Sequence, residues 1–253
     1  MLGRMPTPQV VALLKASGPA HAADTLLTFP VERIAALLAA MQPADLAGVL
    51  TASTVAQKRQ LLPAMTTEQT LLVLGRLTNG QVADVMAGIP AAQATSLLTV
   101  APAQLAMRIL SALPNSTMAA VDTSLSSDRA AELYSMRYEQ QVVESVTRIA
   151  GRVSRLPSST CDMVVDVLHH AVQVAVRYRG HGVLTDDDVE AAALAADWTQ
   201  VAGLLVVSDA EPTAAALRHG SAVYAAGYRL ELLRWNNRGD NGALKRALVR
   251  LGG

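Results

Sequence analysis

The chain has 253 residues, is 51% hydrophobic and 17% charged, and carries no formal net charge. It holds enough apolar surface for one large core or two ordinary ones, which excludes a disordered chain. Charge balance excludes a protein that coats nucleic acid by bulk electrostatics, while local basic patches stay compatible with it.

From Met5 to Met136 the chain divides into twelve-residue units, among them "FPVERIAALLAA", "MQPADLAGVLTA", "MTTEQTLLVLGR" and "APAQLAMRILSA". Positions nine and ten form a bulky apolar pair, as in Leu37–Leu38, Val49–Leu50, Leu61–Leu62 and Ile109–Leu110. Position one is usually apolar (Phe29, Met41, Met65, Leu77, Ile89), and positions two to four hold Pro, Thr, Ser, Asn or an acid. Each unit therefore reads as a tight turn followed by a helix of roughly two turns. Helices this short are unstable alone, so neighbours must stack and share one apolar core. Residues 85 to 107 carry no charge, but Pro90, Gln93, Pro102 and Gln104 interrupt them, and the repeat explains them better than a membrane span.

After Met136 the rhythm stops. "YEQQVVESVTRIAG" places Val142, Val143, Val146, Ile149 and Ala150 on one helical face. "RVSRL", "MVVDVL" and the alternating "VQVAVRY" read as strands, with His169–His170 at a hairpin turn. "LTDDDVEAAALAADW" opens as a capped helix, Thr185 preceding Asp188 by three, and the run Asp186–Asp187–Asp188 suits a helix N-terminus. "GLLVVSD" is a buried parallel strand by composition, "PTAAALRHGSAVYAAG" a helix, "YRLELLRW" a strand with Trp235 packing at its end, and "NGALKRALVRL" a final helix. The order α-β-β-β-α-β-α-β-α predicts a three-layer α/β/α sandwich.

One cysteine, Cys161, has no partner for a disulfide or a C-x-x-C motif and reads as an inert thiol. Pro, Lys15 and Gly break up the N-terminal apolar residues, so a cytoplasmic protein without membrane insertion is expected. No phosphate loop, hydrolase elbow or zinc motif is present, and His169–His170 lack metal-binding companions at a suitable spacing.

The phrase Pro-x-x-x-Ala-x-x-Leu-Leu, clear in "PADLAGVL" and "APAQLAMRIL", resembles the cytosolic N-terminal domain of MgtE-type magnesium transporters. That resemblance covers residues 5–136 and implies a right-handed superhelix of short helices offering a protein partner a binding surface. In those transporters acidic residues of the domain help sense magnesium; here residues 1–137 hold only eight Asp/Glu against nine Lys/Arg, so that role does not carry over. Residues 137–253 resemble the restriction-endonuclease-like fold of the Mrr type. Tyr138–Glu139 match its helical aromatic–Glu pair, and Asp166 in "VVDV" its second-strand aspartate. The third-strand slot, which in the family holds an acid or Gln, one residue, then Lys, reads "VAVRY", with Ala175 for the acid and Arg177 for the lysine. Shifting the register makes Gln173 the family's Gln and puts Ala175 in the lysine slot.

The resemblance then implies a disarmed nuclease. Asp166 alone is a thin set for a hard cation, alanine offers no ligand, and arginine is a poor base that still grips phosphate. The expectation is a non-enzymatic interaction or assembly protein without a cofactor, with Arg177 and Arg179 as contacts to DNA or RNA. The alternative is an active metal-dependent endonuclease that takes Mg2+ or Mn2+ on Asp166 with ligands such as Glu139 or Asp162.

Overall fold

The structure, a computed structural model, describes residues 5–155, 163–180 and 182–253. It divides into two compact units, Met1–Leu133 and Tyr134–Gly253.

The first unit is helical. Its helices are α1 (Thr7–Ser17), α2 (Pro19–Leu26), α3 (Val31–Ala40), α4 (Pro43–Ala52), α5 (Val55–Leu61), α6 (Thr67–Leu74), α7 (Asn79–Met86), α8 (Ala91–Val100), α9 (Ala103–Ala112) and α10 (Asn115–Asp122). Alternate helices pack on one another: α2, α4, α6, α8 and α10 form one row, and α5, α7 and α9 part of another, with α1 against α3. The columns of the repeat explain the packing. The pairs Leu37–Leu38, Leu61–Leu62, Val73–Leu74, Val85–Met86 and Leu97–Leu98 are all within 1% of complete burial. Position one closes each turn from beneath, with Phe29, Met41, Met65, Leu77 and Ile89 buried.

Helix starts follow the residue at position two. Thr54, Thr66 and Thr78 each accept a bond from the backbone of a glutamine three residues on, and Gln57, Gln69 and Gln81 in turn accept one from the threonine N–H. Where position two is proline, as at Pro30, Pro90, Pro102 and Pro114, a fixed φ near −60° sets the entry without a side-chain cap.

The glutamines also tie distant units together. Gln69 Nε2 donates to the Leu38 carbonyl at 3.3 Å, and Gln93 Nε2 to the Leu62 carbonyl at 2.7 Å. The donor and acceptor of the second bond each lie two repeats beyond those of the first. Arg129 closes the last turn of α8 in the same way, bonding the carbonyls of Leu98 at 2.9 Å and Ala101 at 2.6 Å.

The helix expected after Met136 begins earlier. α11 runs unbroken over Ser127–Ala150, because residues 128–150 contain neither proline nor glycine to end it. The twelve-residue rhythm therefore dissolves into one long helix rather than stopping at a turn.

In the second unit the strands β1 (Val153–Arg155), β2 (Met163–Val167), β3 (His170–Arg177), β4 (Gly203–Ser208) and β5 (Leu230–Arg234) form a sheet in sequence order. The first three pair antiparallel and the last three parallel. Helices α12 (Asp186–Leu194), α13 (Ala214–Ala225) and α14 (Asn241–Gly252) complete the unit. Strand alternation sends side chains to two separate cores. Val172, Val174, Val176, Leu205 and Val207 meet Val142 and Val146 of α11 and Leu244 and Leu248 of α14. Ala175, Leu204 and Val206 meet Val189 and Ala192 of α12 and Ala216 of α13. The sheet thus carries helices on both faces, and β4 is buried along its whole length.

The β2–β3 hairpin turns on Leu168 and His169, with Val167 facing His170 in the ladder. His170 therefore opens β3 instead of sharing the turn with His169. Both turn residues have positive φ, 51° and 72°, which a two-residue hairpin loop of the I′ kind requires and which an Asn-Gly dipeptide supplies at least cost.

Candidate functional site

The residues read from the sequence gather on one face of β2 and β3 without converging. Asp166 is exposed and lies opposite Ala171 across the ladder. Antiparallel partners share a face, and alternation puts Gln173, Ala175 and Arg177 on that face too. Ala175, however, lies four residues further along β3 than Ala171, a separation of roughly 13 Å along the strand. No cation with oxygen ligands about 2–2.6 Å away spans that gap.

Each position on β3 already has a structural role. Gln173 is 3% exposed, and its Oε1 accepts the Asp197 N–H at 3.0 Å, holding the chain that leaves α12. Ala175 is fully buried among Leu184, Val189, Ala192, Leu204, Val206 and Ala216. Arg177 is half-buried at the end of β3, opposite Ser208, and its Nη1 donates to the Val176 carbonyl at 2.7 Å. Glu139 is half-buried on α11. Cys161 and Asp162 lie outside the described residues.

Arg179 is held by a carboxylate. Its Nε donates to Asp188 Oδ2 at 2.9 Å, and Nη2 pairs with Oδ1. Asp188, 8% exposed, also accepts from the N–H and hydroxyl of Thr185 at 3.0 and 2.9 Å, which caps α12. The aspartate predicted to serve as a helix cap is therefore also the counterion of the arginine predicted to hold phosphate. The backbone N–H of Arg179 donates to Asp209 Oδ1 at 2.7 Å.

Sequence reasoning missed the aromatic group beside these strand ends. Tyr138 lies 5.7 Å from Tyr178 and 5.8 Å from Trp235 between ring centres. Its hydroxyl donates to the Trp235 carbonyl at 2.8 Å, and the indole N–H donates to Asn241 Oδ1 at 3.1 Å. Burial pushes the Tyr138 phenol well above its ordinary range, reinforced by the negative charges of Asp209 and Asp240. Burial and Asp209 raise Tyr178 as well. The available signal was the pairing of Tyr138 with a tryptophan nearly one hundred residues away, which periodicity does not carry.

These residues do not fit a catalytic cation. Asp166 has no second carboxylate across the ladder, and no group of three His, Cys, Asp or Glu is placed to hold a metal among the described residues.

A different kind of surface lies on the first unit. An open apolar groove of about 780 Å³ is lined by Thr67, Leu71 and Leu72 of α6, Thr95 and Val100 of α8, and Leu105 of α9. Leu72 and Val100 are 53% and 60% exposed there. Among the described residues, no helix is long and apolar enough to cross a membrane.

The chain is a helical-repeat unit followed by a mixed α/β unit. Residues 17–113 match the family model of the MgtE intracellular N domain, and this part of the chain is similar to that domain. No curated protein and no solved structure matches the chain.

Proposed function

We propose that the protein is a non-enzymatic interaction or assembly protein. A right-handed superhelix built by the twelve-residue repeat offers a binding surface to a protein partner. The second unit is a restriction-endonuclease-like domain that has lost its catalytic set and keeps a capacity to contact nucleic acid. The observation that carries this reading is Ala175. The slot that needs a cation-binding acid holds a methyl group buried in an apolar cluster, where an unpaired carboxylate is costly to bury. The strand order and the α-β-β-β-α-β succession support the fold assignment. The match over residues 17–113, together with the apolar groove on α6, α8 and α9, supports the partner-binding role of the first unit.

The test is incubation of the purified full chain with supercoiled and linear DNA in millimolar Mg2+ or Mn2+. Intact DNA after hours is the expected result. Cleavage that disappears on Asp166→Ala overturns the reading and establishes the alternative, a metal-dependent endonuclease with relocated ligands.

A further inference from the structure

We propose that the second unit binds the phosphate backbone of duplex DNA on its α11/α14 layer, on the opposite face of the sheet from Asp166 and Arg177. The proposal rests on the reading of this unit as a nucleic-acid contact that does not cut, and it relocates that contact.

The zero net charge of the chain conceals a polarised unit. On the α11/α14 side, from Tyr134 to Ala150 and from Arg238 to Gly253, the bases are Arg137, Arg148, Arg238, Lys245, Arg246 and Arg250, against Glu139, Glu144 and Asp240, a net of +3. On the other side, α12 and α13 carry Asp186, Asp187, Asp188 and Glu190 against Arg218, a net of −3 with histidine neutral. The acids on the basic side are engaged. Glu144 receives Arg238 at 3.4 Å, and Asp240 accepts the Asn236 N–H at 2.8 Å. Arg148, Lys245 and Arg246 are exposed, with no ion pair among the described residues.

The free cations share one surface. The Arg238–Glu144 contact turns one flank of α11 toward the start of α14, and Arg148 lies one turn further along that flank. On α14, Arg250 reaches Glu231 of β5 from one flank. Lys245 projects roughly 140° around the helix from it, on the flank away from β5. Arg246 follows on the outward side. Helix-end charge explains Arg148 and Arg250, which stand in last turns, but not Lys245 and Arg246 in mid-helix. A lipid surface fits less well, since interfacial helices interleave their cations with large apolar residues. Here Val249 is the one large hydrophobic exposed on α14. Guanidinium groups on rigid helices suit phosphate oxygens.

The experiment is fluorescence anisotropy of the full chain with a fluorescein-labelled duplex of about 30 base pairs and mixed sequence. The expected result is saturable binding with a salt slope of about −3, near 0.9 per phosphate contact. The triple variant R148E/K245E/R246E weakens it at least tenfold, and R148Q/K245Q/R246Q weakens it less. R218E, a charge reversal on the acidic layer, leaves affinity within twofold. All these positions are exposed, so circular-dichroism melting should confirm intact folding. The proposal is overturned by unaltered affinity in the triple variant, or by binding lost in R177A instead. It is equally overturned if phosphatidylserine vesicles bind in preference to the duplex, if the cations serve salt-dependent self-association without DNA, or if wild type fails to bind at about 20 mM salt. Absence of DNA binding leaves the partner role of the first unit standing. Cleavage of the duplex overturns the non-enzymatic reading and leaves this surface in place.

Discussion

At the scale of single residues, position five of the repeat shows how one side chain serves two levels of structure. Gln69 accepts the Thr66 N–H with Oε1 at 3.1 Å and donates to the Leu38 carbonyl with Nε2. Glutamate caps equally well but has no hydrogen to donate, which explains glutamine at positions 57 and 69, where Gln57 Nε2 likewise donates to Asp24 Oδ1 at 2.7 Å. Gln69→Glu keeps the cap and turns a donor into a charge facing a carbonyl, so thermal unfolding should show a loss of about 1–2 kcal/mol. Gln93 gives the reverse case. Its cap residue is Pro90, which has no N–H, and Gln93 Oε1 is buried without a partner. Pro90 has φ −66° and ψ 145°, close to the −72° and 157° of Thr66, so Pro90→Thr fits the backbone. It should restore the missing bond and raise stability by about 0.5–1 kcal/mol.

At the scale of elements, the β2–β3 hairpin departs most from local preference. Leu168 and His169 both adopt left-handed φ, and Leu168 is 62% exposed, so no burial compensates the strain there. The double substitution Leu168→Asn with His169→Gly should stabilise the protein by about 1–2 kcal/mol, read as a rise in the urea midpoint at constant slope. An unchanged or lower midpoint would show that tertiary contacts hold the turn at no cost. β3 next to it illustrates the opposite situation. Its alternation was legible in "VQVAVRY", and Val172, Val174 and Val176 enter one core as that pattern requires. The pattern did not reveal that the other face is also buried, which changes Gln173 and Ala175 from site candidates into packing residues.

At the scale of the molecule, pH response falls to the second unit. Tyr138 and Tyr178 are both held above the ordinary tyrosine pKa. A raised folded pKa means that the neutral phenol is required by the fold, while the unfolded chain ionises near about 10. This tyrosine contribution to stability is therefore complete below about pH 10 and falls as pH rises above it. In an ultraviolet absorbance titration of the phenolate band, the buried tyrosine should ionise only together with loss of the near-ultraviolet circular-dichroism signal. Tyr138→Phe should remove part of this dependence, at the cost of the bond to the Trp235 carbonyl.

Local patterning alone carried the repeat, its buried columns and the succession of strands and helices in the second half. Those follow from nearest neighbours along the chain, since 3.6- and 2-residue periods are local. It also placed Gln173, Ala175 and Arg177 on one strand face. What that face meets was set by tertiary packing. Ladder register sets Asp166 opposite Ala171, four residues away from Ala175, α12 and α13 cover the β3 positions, and Asp188 claims Arg179. Register and counterion choice depend on which elements come to lie side by side, and neither leaves a periodic trace in one sequence.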